Sequence, residues 1–587
     1  HQGALVALET ESLLHFRRIE NRIQYHQLGH THHLPETPSR REVLGRQMGY
    51  RDDPAGQLMA EVERRRRRVR RIFDLFFKRE ETEGERFPVP LEEEELEALG
   101  EWLDALRFNH PAASARQLIE LRNGRPFTHP SDRSRRLFDS FGPTLVTEAA
   151  ATPWPDNVLI GFAQFMEAKG ARDAAYEMFD LHRPVITLLA AIFSASESLT
   201  ATLVRTPDLL DSLLISDLLH LPPDDRRNRR RLAEILDEGG PVAETLARID
   251  HFKAAESLRL GVSRILGKLD RFAVMEGLTL LAEGYLAALM ELARRKLVEE
   301  GTDRPLPPFS LVACGKMARR EMNFGSDLDL ILFYDGDVEE GLPLTLFLQT
   351  ALRLSKELTP FGAGYDIDLR LRPEGESSPM AVSLAGAESY YATRGEGWER
   401  LALVGARPVA GDAPCHAKVD QLLRRFVYGA PLTPVDVGRI AAIRERIVGE
   451  KVKGGKIDIK FGAGGLIEIE FIAQILLMEH PDFHPPAARG ITYATLEEGV
   501  RRKWLTRDDG SALKDAYLLY RSIEDALRMD RVKPVNAVPA EGPDLIRTAR
   551  RANLPGVGPD RFLDTVKDAR AKVREIYETF MAARSGG

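Results

Sequence analysis

Over most of the chain, apolar residues recur every three or four positions, the spacing of amphipathic helices. Segments such as "LEEEELEALGEWLDAL", "LLAAIFSASESLTATLV" and "GLTLLAEGYLAALMELARRKL" keep this period to about residue 300, with proline-bearing turns such as "ATPWPDN" and "HLPPDD" between them. Residues 1–85 also read as helical, with a turn around His33 to Ser39 and a stop at "RFPVP". At "RPLPPFSLVACG" the period changes: Phe309 to Cys314 has strand character, and residues to about 415 mix strands with helices. Beyond "LTPVDVGR" helical spacing returns and runs to the end. The pattern predicts a multidomain, mainly α chain: helical parts at 1–85 and 86–304, a small mixed α/β domain at 305–425, and a helical domain at 426–587. A length of 587 residues, beyond what one hydrophobic core usually serves, agrees.

The two ends of the chain repeat each other. "LHFRRIENRIQYHQLGHTHHLP", ending at Pro35, aligns with "LLYRSIEDALRMDRVKPVNAVP", ending at Pro539, so that Phe16 falls on Tyr520, Arg17 on Arg521, Ile19 on Ile523 and Glu20 on Glu524. The same offset, without a gap, carries "VRRIFDLF" from Val69 onto "VREIYETF" from Val573. Any two amphipathic helices share a period, but a constant offset across both stretches, with a proline included, marks one module occurring twice. Whatever precedes the second copy is then expected once to have preceded the first, so the chain is expected to begin inside a first module.

Composition narrows the function classes. With 43% hydrophobic and 29% charged residues the chain reads as a folded soluble protein, and no uninterrupted apolar run approaches the roughly 20 residues of a membrane span. The 82 Lys and Arg against 89 Asp and Glu leave a net charge of −7, which offers no global attraction to nucleic acid. Cys314 and Cys415 are the only cysteines and form no disulfide or metal pattern, so a reducing cytoplasm is the expected compartment and both thiols are expected to be buried. No secretory leader pattern follows His1.

The chemistry concentrates in "NFGSDLDLILFYD", residues 323–335. On a strand, side chains two apart share a face, so Asp327 and Asp329 point one way while Leu328, Leu330 and Leu332 point into the core. The carboxylates are then about 7 Å apart at the backbone, a spacing suited to one or two divalent cations held by oxygen. Gly325 and Ser326 just upstream offer a close-approaching backbone and a hydroxyl for a phosphate. "GYDIDLRLRP" supplies a second alternating strand, with Asp366, Asp368, Arg370 and Arg372 on one face and Tyr365, Ile367, Leu369 and Leu371 on the other. An acidic head for metal with guanidiniums for phosphate oxygens is what nucleotidyl transfer requires, because catalysis there is mostly positioning and charge neutralisation. A lone Asp-x-Asp at a strand edge is usually just solvated; two such strands about forty residues apart, one led by Gly-Ser, are not.

"GKMARREMNFGSDLDLILFYD", "YDIDLRLRPEGESSPMAVSL", "GWERLALVGARPVAGD" and "KFGAGGLIEIEFIAQ" resemble the successive signatures of the bacterial glutamine synthetase adenylyltransferase family, bifunctional enzymes that attach AMP to glutamine synthetase and remove it. The resemblance implies a polymerase-β-like nucleotidyltransferase fold at 305–425 between helical regions, 1–85 being the helical end of a truncated first module and 86–304 a regulatory linker. It places a Mg²⁺ ligand set on Asp327, Asp329 and Asp368, the triphosphate-touching Gly-Ser on Gly325 and Ser326, and candidate phosphate contacts on Lys316, Arg370 and Arg372. It further implies ATP as donor, a tyrosine hydroxyl of glutamine synthetase as acceptor, and the PII signalling protein and glutamine as effectors. Chain order favours adenylylation, whereas "NFGSDLDL" and "GESSPMAVSL" look at least as much like the half that removes AMP by phosphorolysis. One departure stands out: the family commonly has Gly-Gly where this chain has Ala318 and Arg319, at a loss of backbone freedom.

Other features point less far. "KFGAGGLIEIEF", with Gly462, Gly464 and Gly465 ahead of Glu468 and Glu470, lacks dinucleotide-binding spacing and reads as close helix packing with a secondary role in the site, where the resemblance implies a closing loop. "ERRRRRVRR", Glu63 to Arg71, reads as the exposed side of a helix and not as a polyanion patch. His26, His30, His32 and His33 have no accompanying ligand set and no counterparts at Asp530, Pro534, Asn536 and Ala537. The rival readings are an RNA-end nucleotidyltransferase, which needs a basic groove, and a regulatory binding module without catalysis.

Overall fold

A computed structural model describes residues 19, 34–35, 37–77, 86–124, 130–214, 216–302, 304–452, 457–486, 489–530 and 535–586. The chain forms two compact units, His1–Glu85 and Arg86–Gly587. In the first, helices Pro38–Gln47 and Pro54–Phe77 pack around Ile19, Leu44 and Leu58. Arg65 pairs with Glu61 at 2.5 Å on the flank of the second helix. Arg64 pairs with the same glutamate and is exposed, whereas the side chains of Arg66, Arg67, Arg68, Arg70 and Arg71, of the four histidines, and of Arg17 and Glu20 of the repeat lie outside the described residues. Ile19 is buried, as is its counterpart Ile523.

The second unit is mainly α with one small mixed sheet, the expected fold class. Strands β1 (Phe309–Ala313), β2 (Leu328–Tyr334), β3 (Ile367–Asp368), β4 (Ala381–Ser383) and β5 (Arg407–Gly411) run in the order β3-β2-β1-β5, with β4 also pairing β2. β1 is antiparallel to β2 and β5, while β3 and β4 lie parallel to β2. Alternation along β2 divides its side chains between two cores. Leu328, Leu330 and Leu332 enter a cluster with the helices of residues 232–297, and Ile331 and Phe333 enter another with the helices that follow residue 384. The aspartate-bearing face is therefore not a solvent face: past Asp329 it continues as core, which confines the carboxylates to the start of the strand.

Helix Arg271–Glu299 runs against the sheet from the first of these cores. Asp270 caps it by accepting from the Ala273 N–H at 2.8 Å, satisfying an end donor that the helix leaves unpaired. Of the described helices it alone is long and apolar enough to cross a membrane, and 78% of its apolar stretch is buried inside the fold. Helices between Leu91 and Leu266 form a third apolar cluster of their own, rich in phenylalanine. Both cysteines are buried.

The "KFGAGG" turn is a packing element. It follows strand β6 (Ile457–Asp458), which pairs with β7 (Ala537–Val538), and leads into helix Leu466–Glu479. Gly464 has φ +70°, and a Cβ there would stand 1.9 Å from the carbonyl oxygen of Arg570 on helix Pro559–Ser585. Its own carbonyl accepts from the Tyr520 hydroxyl at 2.8 Å. Glu468, fully buried, binds Arg444 and Arg574 at 2.9 Å each and the Gly464 N–H at 3.0 Å.

Gly464→Ala combines left-handed strain with a backbone clash and is expected to cost about 3 kcal/mol or more, lowering the thermal unfolding midpoint. Gly449→Ala, in helix Pro434–Lys451 with nothing within 4 Å of the new methyl, is expected to be neutral or stabilising by up to about 1 kcal/mol in the same melt.

Candidate active site

Parallel pairing of β2 and β3 sets Asp329 beside Asp368, and the Leu328 N–H donates to the Asp366 carbonyl at 2.8 Å to fix the register. Asp327 stands one residue ahead of β2, so one carboxylate oxygen from each of Asp327, Asp329 and Asp368 lies within 4.8 Å of the others. Among the described residues this is the one such acidic, histidine or cysteine cluster of metal-holding size. Burial, then the Asp327 and Asp368 charges, push Asp329 up to about 6. Asp368 moves the other way, held below the usual carboxylate range by hydrogen bonds from Arg370.

β1 delivers the turn beneath the triad. Gly315, at φ +56°, could carry no side chain, since a Cβ would stand 2.1 Å from Asp329 Oδ2. On the other side, Gly325 has φ +64° with open space where a Cβ would be. Ser326 is buried and closes that turn: its N–H donates to the Asn323 carbonyl and its Oγ accepts from the Asn323 N–H, both at 3.0 Å.

The two arginines of "DIDLRLRP" do not share a strand face with Asp368. β3 ends at Asp368 and the chain turns at Arg370, because Asp368 itself captures the Arg370 N–H at 2.8 Å and its guanidinium Nε at 2.9 Å. Arg372 folds onto the same turn, donating to the Leu369 carbonyl at 2.7 Å and the Ser378 carbonyl at 3.2 Å. Arg370 remains exposed beside the triad. Asp366 contributes its carbonyl and leaves its side chain outward.

Lys316 is not on a solvated rim. Its Nζ lies 2.6 Å from Glu524 of helix Arg507–Asp530, and burial pulls its pKa down to about 7. Burial opposes ionisation of Glu524 as well, but Lys316, Arg521 and Arg528 together hold it well below the usual range. Arg521 reaches Glu524 at 2.8 Å, Glu321 at 3.1 Å and Glu470 at 3.2 Å, and Arg319 completes the chain with Glu470 at 3.2 Å. Helix Arg507–Asp530 also grips the Gly-Ser turn: Asn323 Nδ2 donates to Asp525 at 2.9 Å, and Arg528 donates to the Phe324 carbonyl at 3.0 Å. Arg319, the departure from Gly-Gly, thus buries its guanidinium in this network, and the left-handed position falls one residue later, at Arg320 with φ +56°.

The spacing of Glu321, Glu470, Arg521 and Glu524 in sequence does not point to a common site. The available signal is the recurrence of Arg521 and Glu524 as Arg17 and Glu20 in an otherwise apolar helix pattern. Lys460, heading the "KFGAGG" turn, adds positive charge felt at Asp329, Lys316 and Glu470.

Residues 186–422 match the family model described as glutamate-ammonia ligase adenylyltransferase. Residues 6–77 and 441–581 both match one other model, GlnD PII-uridylyltransferase, so one domain type recurs at the two ends as the internal repeat requires. Curated relatives with the name bifunctional glutamine synthetase adenylyltransferase/adenylyl-removing enzyme align along almost the whole chain. The one from Rhodopseudomonas palustris (strain HaA2) is 29% identical over 581 residues, 96% of this chain and 58% of the relative. The one from Xanthobacter autotrophicus is 30% identical over 589 residues, 97% and 59% respectively, and that from Chromobacterium violaceum 30% over 553 residues, 91% and 60%. The chain spans about three fifths of the length of these relatives.

Asp329 gives a pH test on the metal-free protein. Its folded pKa, about 6, exceeds its usual 3.8, so the stability it contributes is fully present below the lower value and lost as pH rises through the higher. Asp329→Asn is therefore expected to raise the unfolding midpoint at pH 7 by the equivalent of about 2–3 kcal/mol at most, and to change little at pH 4. An equal gain at both values would contradict the assigned burial and repulsion.

Proposed function

We propose that this chain, a homologue of the bifunctional glutamine synthetase adenylyltransferase/adenylyl-removing enzymes over nearly its whole length, is a nucleotidyltransferase that moves AMP between ATP and a tyrosine hydroxyl of glutamine synthetase. The observation that carries the reading is the convergence of Asp327, Asp329 and Asp368 at the mouth of a buried sheet within the segment that matches the adenylyltransferase model.

The triad suits Mg²⁺: its donors are all carboxylate oxygens, and their mutual repulsion, felt at half-buried Asp329, is what a dication relieves. Bound there, Mg²⁺ supplies charge neutralisation for the triphosphate and the departing pyrophosphate. Asp327, Asp329 and Asp368 would hold it. The Gly325–Ser326 turn offers backbone and hydroxyl to phosphate oxygens, and its anchoring by Asn323, Asp525 and Arg528 keeps those donors fixed. Arg370 neutralises Asp368 while no cation does, and its exposed guanidinium is placed to turn to a phosphate once one is bound. Lys316 is tied to Glu524 at the turn that follows β1, and Arg372 acts by shaping its own turn.

In the forward direction the tyrosine oxygen attacks the α-phosphorus of ATP, and the bond to pyrophosphate breaks in line. In the second reading, favoured by the "NFGSDLDL" and "GESSPMAVSL" motifs, an oxygen of inorganic phosphate attacks the same phosphorus in the modified enzyme, releasing the tyrosine and forming ADP. The PII protein and glutamine are proposed as effectors of the helical region; the support for PII is the terminal match to a domain described by PII uridylylation.

Incubation with Mg²⁺, ATP and unmodified glutamine synthetase is expected to yield AMP-tyrosine and pyrophosphate, and incubation with phosphate and the modified form to yield ADP if this copy runs the reverse reaction. Asp327→Asn and Asp329→Asn are each expected to lower the active direction by on the order of 1,000-fold or more without loss of fold. Turnover retained in both variants would refute the assignment.

A further inference from the structure

The strand that carries Asp368 has only two residues, so its place depends on what holds the loop before it. That loop is clasped at both ends by one helix of the middle region, Val242–Ile265. At the near end, buried Asp250 accepts from the Thr359 hydroxyl and from the Tyr285 hydroxyl, each at 3.0 Å. At the far end, one helical turn on, Lys253 Nζ donates to the Ala363 and Gly364 carbonyls, both at 2.8 Å, and sits 4.6 Å from the centre of the Tyr365 ring. Between them Thr359 and Gly362 bridge, and Phe361 lies edge-on to His251 at 4.7 Å. Gly364 is pinned from behind: a Cβ would stand 2.2 Å from the Tyr285 hydroxyl, and its N–H donates to the Ser355 carbonyl at 2.8 Å. The next residues are Tyr365, whose carbonyl accepts from Ser355 Oγ at 2.6 Å, then Asp366, then β3.

We infer that Asp250 and Lys253 are positioning residues for the three-carboxylate site, the points at which the helical region sets where Asp368 stands against Asp327 and Asp329 and hence how tightly the triad takes a divalent cation. The inference rests on the reading of the triad as a metal site. An apolar side chain of similar length would fill the Lys253 site without the cost of burying an ammonium, so what the charge gains is the hold on the two carbonyls. Outer groups that orient ligands typically change metal affinity by about 10–100-fold when removed.

The test is Mn²⁺ binding to the full chain, followed by electron paramagnetic resonance of the free ion, with metal-free melting curves alongside, on Lys253→Met, Lys253→Arg and Asp368→Asn. The expected result is at least about a tenfold weaker apparent Kd in Lys253→Met with a melting midpoint close to the parent, and recovery in Lys253→Arg, which can still donate to both carbonyls. If Asp368→Asn weakens Mn²⁺ binding while Lys253→Met does not, the clasp inference is wrong and the metal site stands. It is equally overturned if Lys253→Met loses affinity only in proportion to lost stability, or if Lys253→Arg fails to restore it. If Asp368→Asn binds Mn²⁺ as the parent does, the metal reading falls, and the inference with it.

Discussion

Three carboxylates within 4.8 Å of one another repel, and the rest of this unit is organised around keeping them there. Among the described residues the compensation is partial: Arg370 hydrogen-bonds Asp368, and the charges of Arg319 and Lys460 reach Asp329 without offsetting its burial and the neighbouring carboxylates, which leave it protonatable up to about pH 6. Such a cluster persists only if its backbone is held by forces larger than the repulsion. A β2 strand buried on both faces supplies them, because displacing it would tear leucines from one core and Ile331 and Phe333 from the other.

Two helices then lock the approaches. Arg507–Asp530 grips the turns on either side of the triad, the one at Lys316 through Glu524 and the one at Asn323 through Asp525 and Arg528. Arg271–Glu299 ties that helix to the rest: Arg271 reaches Asp525, Ser522 and the Leu518 carbonyl, and Glu283 pairs with Arg407 of β5, whose guanidinium also braces the Ala318 carbonyl. Ion pairs this deeply buried are weak sources of net stability, since their desolvation offsets most of the attraction. Their effect is specificity of arrangement: leaving any one partner unpaired would be costly, so the turns have one low-energy placement.

The sequence was most legible where periodicity carries the signal. The helical length of the chain, the change of period near Phe309 and the alternation in "DLDLILF" follow from apolar spacing, and the fold is mainly α with a small mixed sheet accordingly. Alternation misled at "DIDLRLRP", because four alternating pairs read as a long strand whereas Asp368 pulls Arg370 into a turn after two residues. Local capture of a backbone N–H by an aspartate competes with a sheet ladder and leaves no trace in a polar-apolar pattern. Lys316 is expected as a phosphate contact because a pattern cannot tell an outward lysine from one facing Glu524, which is 208 residues away in sequence. The buried charges of helix Arg507–Asp530 were visible only as the repetition of Arg521 and Glu524 in the first copy.

The account turns on the triad being a cation site at which a nucleotide is held, and anomalous diffraction from crystals grown with Mn²⁺ and a non-hydrolysable ATP analogue tests it most directly. The predicted result is manganese signal at the Asp327, Asp329 and Asp368 oxygens, at about 2.0–2.3 Å, with the nucleotide's phosphates beside the Gly325–Ser326 turn. Nucleotide bound with no manganese at these three residues, or manganese and phosphates held elsewhere on the chain, would contradict it.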